Sequence, residues 1–347
     1  MSFTLTIDWL AFTLPESSAQ EVIRVLGGDW VRGKAGFRGY PISWITTEGA
    51  RGVGKLGTGA PRSILEVHVD LSAGIISTWS IEKVREVLRW ILAHKGHVTR
   101  IDCALDDRQA QVLVKVIREA VERGQCITRA ERFQIIQSQA IHQGTPSGNT
   151  LYFGSPQSQT MLRVYDKRLE LQAKQREGWQ DYGVRWELEF KQDRAQACAT
   201  HLAGLDEAFW CELVVGFLRS YVDFRDTTRE ADDQARIRAL LLDWWKTLTD
   251  GFGKGRLVIE KNEQTMIQVK RWVSHAVAPM LAVICAEHLG GQAWLEREII
   301  AGTSRWKERH RRLLKKKPQG ANLTPAAETR AHLGGAGVSP DSPDSMP

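Results

Sequence analysis

In the stretch TMLRVYDK, residues 160 to 167, Arg163, Tyr165 and Lys167 stand at alternate positions. Side chains two apart share one face of a strand, so a phenol is expected between two cations, with Leu162, Val164 and Asp166 opposite. RIDCALD repeats the pattern, with Arg100, Asp102, Ala104 and Asp106 on one face and Ile101, Cys103 and Leu105 on the other. So does RWELEFK, where Arg185, Glu187, Glu189 and Lys191 oppose Trp186, Leu188 and Phe190. If these strands are neighbours, their polar face gathers four carboxylates, several cations and one tyrosine. Carboxylate clusters of that type hold hard divalent cations such as Mg²⁺ or Mn²⁺. A phenol with an ordinary pKa of ~10 needs help to act as a nucleophile. Nearby cations favour phenolate, at ~1.4 kcal/mol per unit of pKa, and stabilise charge on a phosphate under attack. A metal would polarise that phosphate. The reaction these groups suit is transesterification of a phosphodiester onto Tyr165, with Arg163 and Lys167 beside it. The plain alternative is an antiparallel sheet with one wet side, whose alternating charges serve solvation alone.

The elements around these strands follow from periodicity. LTIDWLAFTL alternates like a strand, and SSAQEVIRVLGG reads as a short helix closed by glycine. RSILEVHVDLSAG is another alternating strand. SIEKVREVLRWILAHKG places Val84, Val87, Leu88, Ile91 and Leu92 at helical spacing, with Ser80 to cap and Gly96 to terminate. QAQVLVKVIREAVERG predicts a second helix. RFQIIQSQA, NTLYFG, TMLRVYDKRLE and VRWELEFK are strand-like and joined by short polar turns. Consecutive strands with helices inserted in blocks give an α+β class: a curved antiparallel sheet catalytic domain with flanking helices, then a mainly helical C-terminal region. The expected division is a nicking and DNA-binding domain over 1–225, a helical region with a basic end over 226–317, and a disordered tail over 318–347, rich in Pro, Gly, Ser and Ala.

Composition narrows the class. The 347 residues can bury a substantial core. Five scattered cysteines form no CxxC pair, which argues against a zinc ribbon or disulfide scaffold and for a reducing cytosol. The longest uncharged apolar run, AVAPMLAVICA, is interrupted by proline and too short to span a bilayer, so no membrane partner is expected. A net charge of +6 is compatible with nucleic acid. RWKERHRRLLKKK holds much of it, eight of its thirteen residues being Arg or Lys. Such a run serves a solvated helix end or adds sequence-blind, salt-dependent affinity for DNA.

The succession VTRIDCALDD, GNTLYFGSPQSQTMLRVYDKRLE, RWELEFK and FLRSYVDFRD resembles the replication initiation factor family called Rep_trans, rolling-circle initiators of plasmids and filamentous phages. The likeness runs in order from the IDWL start to about residue 300. Its most specific part pairs TLYFGS with RVYDK, and the helical WV…HAVAPMLAVI near the end looks like the phage branch. The resemblance implies a metal-dependent initiator that binds origin DNA as a duplex and nicks one strand with a tyrosine. It would stay on the 5′ phosphate and leave a 3′ hydroxyl for a host polymerase, with a host helicase unwinding in the host cytoplasm. The nucleophile of the family's RxYxK motif falls on Tyr165. The metal-holding acidic residues carry over to Asp102, Glu187 and Glu189, with Asp106 a further candidate. Tyr152, in the paired motif, is structural or a second acceptor. The chain has no His-apolar-His pair, the metal signature of the other large class of rolling-circle nucleases.

Candidate DNA contacts are Lys55, Arg100 and Arg185 in the first part and Arg309, Arg311, Arg312, Lys315 and Lys316 in the basic end. GVGKLG, 52 to 57, matches GxGxxG formally but lacks the βαβ context of a dinucleotide site and reads as a hairpin loop. Trp244, Trp245, Trp272 and Trp294 are expected to pack in cores of amphipathic helices. Both duplex origin and nicked single strand are expected partners, and a homodimer is an open assembly. Two other readings remain: an origin-binding or regulatory protein that does not cleave, and a tyrosine recombinase, which works without metal and carries its tyrosine late, on a helix.

Overall fold

The computed structural model describes residues 3–46, 53–61, 63–139, 146–228, 232–250, 252–255, 257, 266–287 and 290–315. The chain divides into two compact units between residues 260 and 261. In the first unit the strands are β1 (Phe3–Leu14), β2 (Trp30–Arg32), β3 (Ile42–Thr46), β4 (Gly54–Ala60), β5 (Ser63–Ser72) and β6 (His97–Asp107). They continue with β7 (Cys126–Thr128), β8 (Phe133–Gln139), β9 (Pro146–Phe153), β10 (Thr160–Asp166), β11 (Val184–Lys191) and β12 (Val222–Phe224). Among the described residues, ten of these form one antiparallel sheet in the order β2-β3-β4-β5-β1-β6-β11-β10-β9-β8, and β12 pairs with β7 apart from it. The α+β architecture predicted from periodicity is the one found, with helices flanking a large antiparallel sheet and a helical C-terminal part.

The helices are α1 (Ala19–Leu26), α2 (Ala73–Ile76), α3 (Ile81–Ala93), α4 (Val114–Glu122), α5 (Lys167–Ala173), α6 (Asp193–Gly204), α7 (Trp210–Tyr221), α8 (Asp233–Arg238) and α9 (Asp243–Leu248). Ser80 caps α3 as its sequence predicts, accepting a hydrogen bond from the Lys83 amide at 3.2 Å. Val84, Val87, Leu88 and Ile91 form the buried stripe of that helix. α4 begins later than periodicity predicts, because the Asp107 carboxylate binds the Val112 amide at 3.2 Å and holds the preceding segment in a turn.

One face of the sheet packs on helices. Ile101, Cys103, Leu105, Trp186 and Leu188 are buried there, with β6 and β11 packed on α6, and Leu162 and Val164 of β10 on the side of α4. A large side chain buried in this way stabilises the fold by ~1.5–3 kcal/mol, and that burial fixes which face of each strand points inward. Trp245 on α9 is fully buried, 5.4 Å from the Trp186 ring, and donates to Asp223 at 2.7 Å. The aromatic pair of α9 therefore belongs to the first unit's core rather than to a separate helical region.

The glycine-rich segment adopts strand β4, not the hairpin loop expected from its composition. Gly57 is required for packing: a Cβ there would lie 2.9 Å from the Cβ of Tyr40. Lys55 is thus an exposed strand residue, with its ammonium 5.7 Å from the centre of the Phe37 ring.

In the second unit, α10 (Met266–Trp272) runs through a π-helical turn, Val273–Val277, into α11 (Ala278–Cys285), followed by α12 (Gly291–Ser304) and α13 (Glu308–Lys315). Pro279, in the first turn of α11, lacks an amide donor, and the wide turn precedes it. Trp272 and Trp294 are 61% and 45% exposed, which differs from the core packing their spacing predicts. No helix among the described residues is long and apolar enough to cross a membrane. The five cysteines are free. The proposed tail, 318–347, lies outside the described residues.

Candidate active site

The site grows out of register. Antiparallel pairing sets Glu189 against Asp102, Glu187 against Ala104 and Arg185 against Asp106 across β11 and β6. On the other side of β11, Arg163 faces Glu187 and Tyr165 faces Arg185. Directly opposed residues share a face, so the three polar rows read from sequence do converge on one surface, opposite the apolar face.

Hydrogen bonds across this surface are dense. Tyr165 donates to Glu187 Oε2 at 3.3 Å. Arg163 Nη2 binds Glu187 Oε1 and reaches Asp102 Oδ2 at 3.3 Å and Glu189 Oε2 at 3.9 Å. Arg100 forks onto Asp102 at 2.9 and 2.6 Å, meets Glu189 at 2.7 Å, and lies 4.7 Å from the centre of the Trp9 ring. Lys191 takes the other oxygen of Glu189 at 2.5 Å. Asp102 and Glu189 are almost wholly buried, while the Arg100 and Arg163 side chains each remain 26% exposed. Guanidinium groups therefore form the layer nearest solvent, resting on carboxylates, and a phosphate approaching the surface meets positive charge first.

Two of the sequence assignments change. Lys167 does not continue the strand: Asp166 caps α5 by accepting from the Leu169 amide at 2.9 Å, and Lys167 is the first residue of that helix. Its ammonium pairs with Glu170 at 2.7 Å and lies 5.6 Å from the centre of the Tyr165 ring. Arg185, expected to touch DNA, is buried, forked onto Asp106 at 2.7 Å through both nitrogens and held by Asp8 at 2.5 Å. A guanidinium with both edges engaged in the interior positions strands, not phosphates.

The electrostatics also differ from expectation. Burial, seconded by the neighbouring Glu187 carboxylate, pushes the Tyr165 phenol well above its usual range, and Arg185 only partly opposes this. Cations alone therefore do not make Tyr165 a phenolate. Glu187 is itself pushed up to about 7 by burial, against the pull of Arg163. Burial likewise raises Asp102, against the pull of Arg100.

Asp102, Glu187 and Glu189 are hard oxygen donors of the kind Mg²⁺ or Mn²⁺ takes. As arranged, however, each is held by an arginine, and Asp106 is sequestered by Arg185. No three acidic, histidine or cysteine side chains among the described residues converge to hold a metal. The arginines on the same strands occupy the carboxylate oxygens.

Sequence reasoning missed Asp8, Trp9 and Asp70. A register shift in β1 between Ile7 and Trp9 releases Asp8 from strict alternation and lets it reach Arg185. Trp9 Nε1 donates to Asp70 at 2.5 Å, and Asp70 is forked by Arg38 at 2.9 and 2.7 Å. The Glu66, His68, Asp70 alternation in EVHVD was the available signal for this extension of the polar surface. Of the basic C-terminal candidates, Arg311 is exposed on α13; Lys316 and the side chains of Arg309, Arg312 and Lys315 lie outside the described residues.

The family described as Replication initiation factor, Rep_trans, matches residues 96–297, more than half of the chain. A curated relative named putative DNA relaxase NicK, from Bacillus subtilis (strain 168), is 25% identical over 199 residues, 56% of this chain and 55% of the relative. The chain thus spans about half the length of that protein. The solved structure of a rolling circle replication initiator protein from Geobacillus stearothermophilus aligns with a TM-score of 0.60 at 21% identity, over 74% of this chain and 99% of that one. At that identity the likeness concerns the fold.

Proposed function

The chain belongs to the replication initiation factor family, and from that premise we propose that it starts rolling-circle replication by nicking one strand of an origin in duplex DNA. Tyr165 Oη attacks the scissile phosphorus, the O3′–P bond breaks, and the protein is left on the 5′ phosphate with a free 3′ hydroxyl. The observation that carries this reading is the hydrogen bond from Tyr165 to Glu187 at 3.3 Å on a surface topped by guanidinium groups. Because burial holds the phenol protonated, attack needs an acceptor for its proton, and Glu187 is in place. Arg163 and Arg100 neutralise the charge that builds on the phosphate oxygens. Lys167, above the Tyr165 ring, adds positive potential.

A divalent ion of the Mg²⁺ or Mn²⁺ type would supply Lewis acidity to the phosphate when bound. Asp102, Glu187 and Glu189 are the residues that would hold it, once released from Arg100 and Arg163. The 3′ hydroxyl is a primer, so a host polymerase and helicase are the implied partners, together with the nicked single strand.

One observation favours a second reading, an origin-binding protein that does not cleave: the carboxylates around the half-buried Tyr165 are neutralised by arginine. Both readings are decided on supercoiled DNA of the parent replicon, incubated with wild type and Tyr165→Phe and with Mg²⁺, Mn²⁺ or EDTA. Nicks carrying protein on the 5′ end, absent from the variant, establish the initiator. Binding without any covalent adduct establishes the second reading, and EDTA-resistant attachment to a 3′ phosphate would indicate recombinase chemistry.

A further inference from the structure

Tyr152 stands on the same surface as Tyr165. β9 pairs with β10 so that Tyr152 lies directly opposite Arg163 and Thr150 opposite Tyr165. Its neighbours Leu151 and Phe153 are buried in the core, which turns Tyr152 to the polar side, half-buried. One row therefore runs Gln134, Tyr152, Arg163, Glu187 across four strands. Tyr165 is the diagonal neighbour of Tyr152, two residues further along β10, a relationship that sets Cβ atoms ~7 Å apart.

The two phenols differ in how they are held. Tyr165, Tyr40 and Tyr221 each donate a hydrogen bond to the protein, whereas the Tyr152 hydroxyl has no partner among the described residues. Arg163, opposite Tyr152 and two residues from Tyr165 on β10, uses Nη2 for its carboxylates and leaves a buried Nε without a partner. A buried unpaired guanidinium donor is costly unless something supplies an acceptor. A phosphate oxygen is an acceptor of the type that this donor lacks.

We propose that Tyr152 is a second nucleophile, sharing Arg163 with Tyr165 and accepting DNA in the step that ends a replication cycle. This rests on the nicking reading above. With the first 5′ phosphate on Tyr165, Tyr152 Oη forms a bond to the phosphorus of the regenerated nick site. The O3′–P bond there breaks, and the phenolic proton ends on the released 3′ oxygen. That 3′ hydroxyl then attacks the Tyr165 phosphodiester, the Tyr165 Oη–P bond breaks, and Tyr165 regains a proton. Two bonds form, two break, and no oxidant or nucleotide is consumed.

The test loads the full-length wild-type chain with a labelled single-stranded oligonucleotide whose short upstream piece diffuses away after cleavage. The trapped complex is then challenged with a second, differently labelled nick site, and the adducts are located by peptide mapping. The expected result is the second label on Tyr152, at a rate independent of protein concentration. In Tyr152→Phe, the ratio of second transfer to first adduct falls at least 100-fold. The second label on Tyr165 of another copy, at a rate rising with protein concentration, overturns the proposal; so does an unchanged ratio in the variant. Should the variant fail to fold, mapping on wild type decides alone. Absence of any first adduct in wild type is a different failure, which overturns the nicking reading together with this one.

Discussion

Tyr165 on β10 and Glu187 on β11 are joined by a hydrogen bond of 3.3 Å from phenol to carboxylate, on a surface where burial raises the pKa of both. On the proposed reading the phenol is the oxygen that attacks and the carboxylate the one that receives its proton. The behaviour of the site with pH, salt and metal follows from this arrangement and from the arginines around it.

Nicking should rise with pH until Glu187 is ionised, near its raised pKa of about 7. Glu187→Gln removes the proton acceptor and should lower the single-turnover rate by ~10²–10⁴-fold while abolishing that rising limb. Rates measured from pH 5 to 9 on both proteins check this; a retained limb would assign it to another group.

The same shift has a stability consequence of known sign. The folded pKa of Glu187 lies above the ordinary 4.5, so its contribution is fully present below pH 4.5 and is lost as pH rises through about 7. The loss amounts to roughly 3 kcal/mol at ~1.4 kcal/mol per unit. Glu187→Gln, which cannot ionise, should show a smaller fall in denaturation midpoint between pH 5 and 8 than wild type.

Arg100 and Arg163, at the solvent side of the network, should contact phosphate, whereas Arg185 should not. Arg100→Ala and Arg163→Ala are each expected to reduce the slope of log affinity against log salt by ~0.9. Arg185→Ala strands Asp8 and Asp106 in the interior and should cost ~3–5 kcal/mol of stability. Fluorescence anisotropy over a salt series, beside chemical denaturation, separates these two roles.

Any divalent ion held by Asp102, Glu187 and Glu189 must compete with arginine. Arg163→Gln should therefore raise the affinity of the free protein for Mn²⁺, measured by electron paramagnetic resonance of the unbound ion. Equal or weaker binding by the variant would place the metal elsewhere.

By itself the sequence determined the types of group at the site and the faces that carry them. Alternation in RIDCALD, RVYD and RWELEFK is local, and burying one side of each strand forces the other outward, so three polar rows were legible without knowing the strand order. The RVYDK and TLYFGS motifs likewise pointed to the family. Tertiary structure decided how the rows meet. Which strands are neighbours depends on pairings between residues as distant as Arg185 and Asp106, and no local pattern encodes them. Lys167 left the strand because Asp166 caps a helix, and Asp8 joined the site through a register shift in β1. Above all, only the assembled sheet brings Arg100 and Arg163 onto Asp102, Glu187 and Glu189. It rests guanidinium groups on the carboxylates, because oppositely charged side chains removed from water together must pair with whatever the register sets beside them.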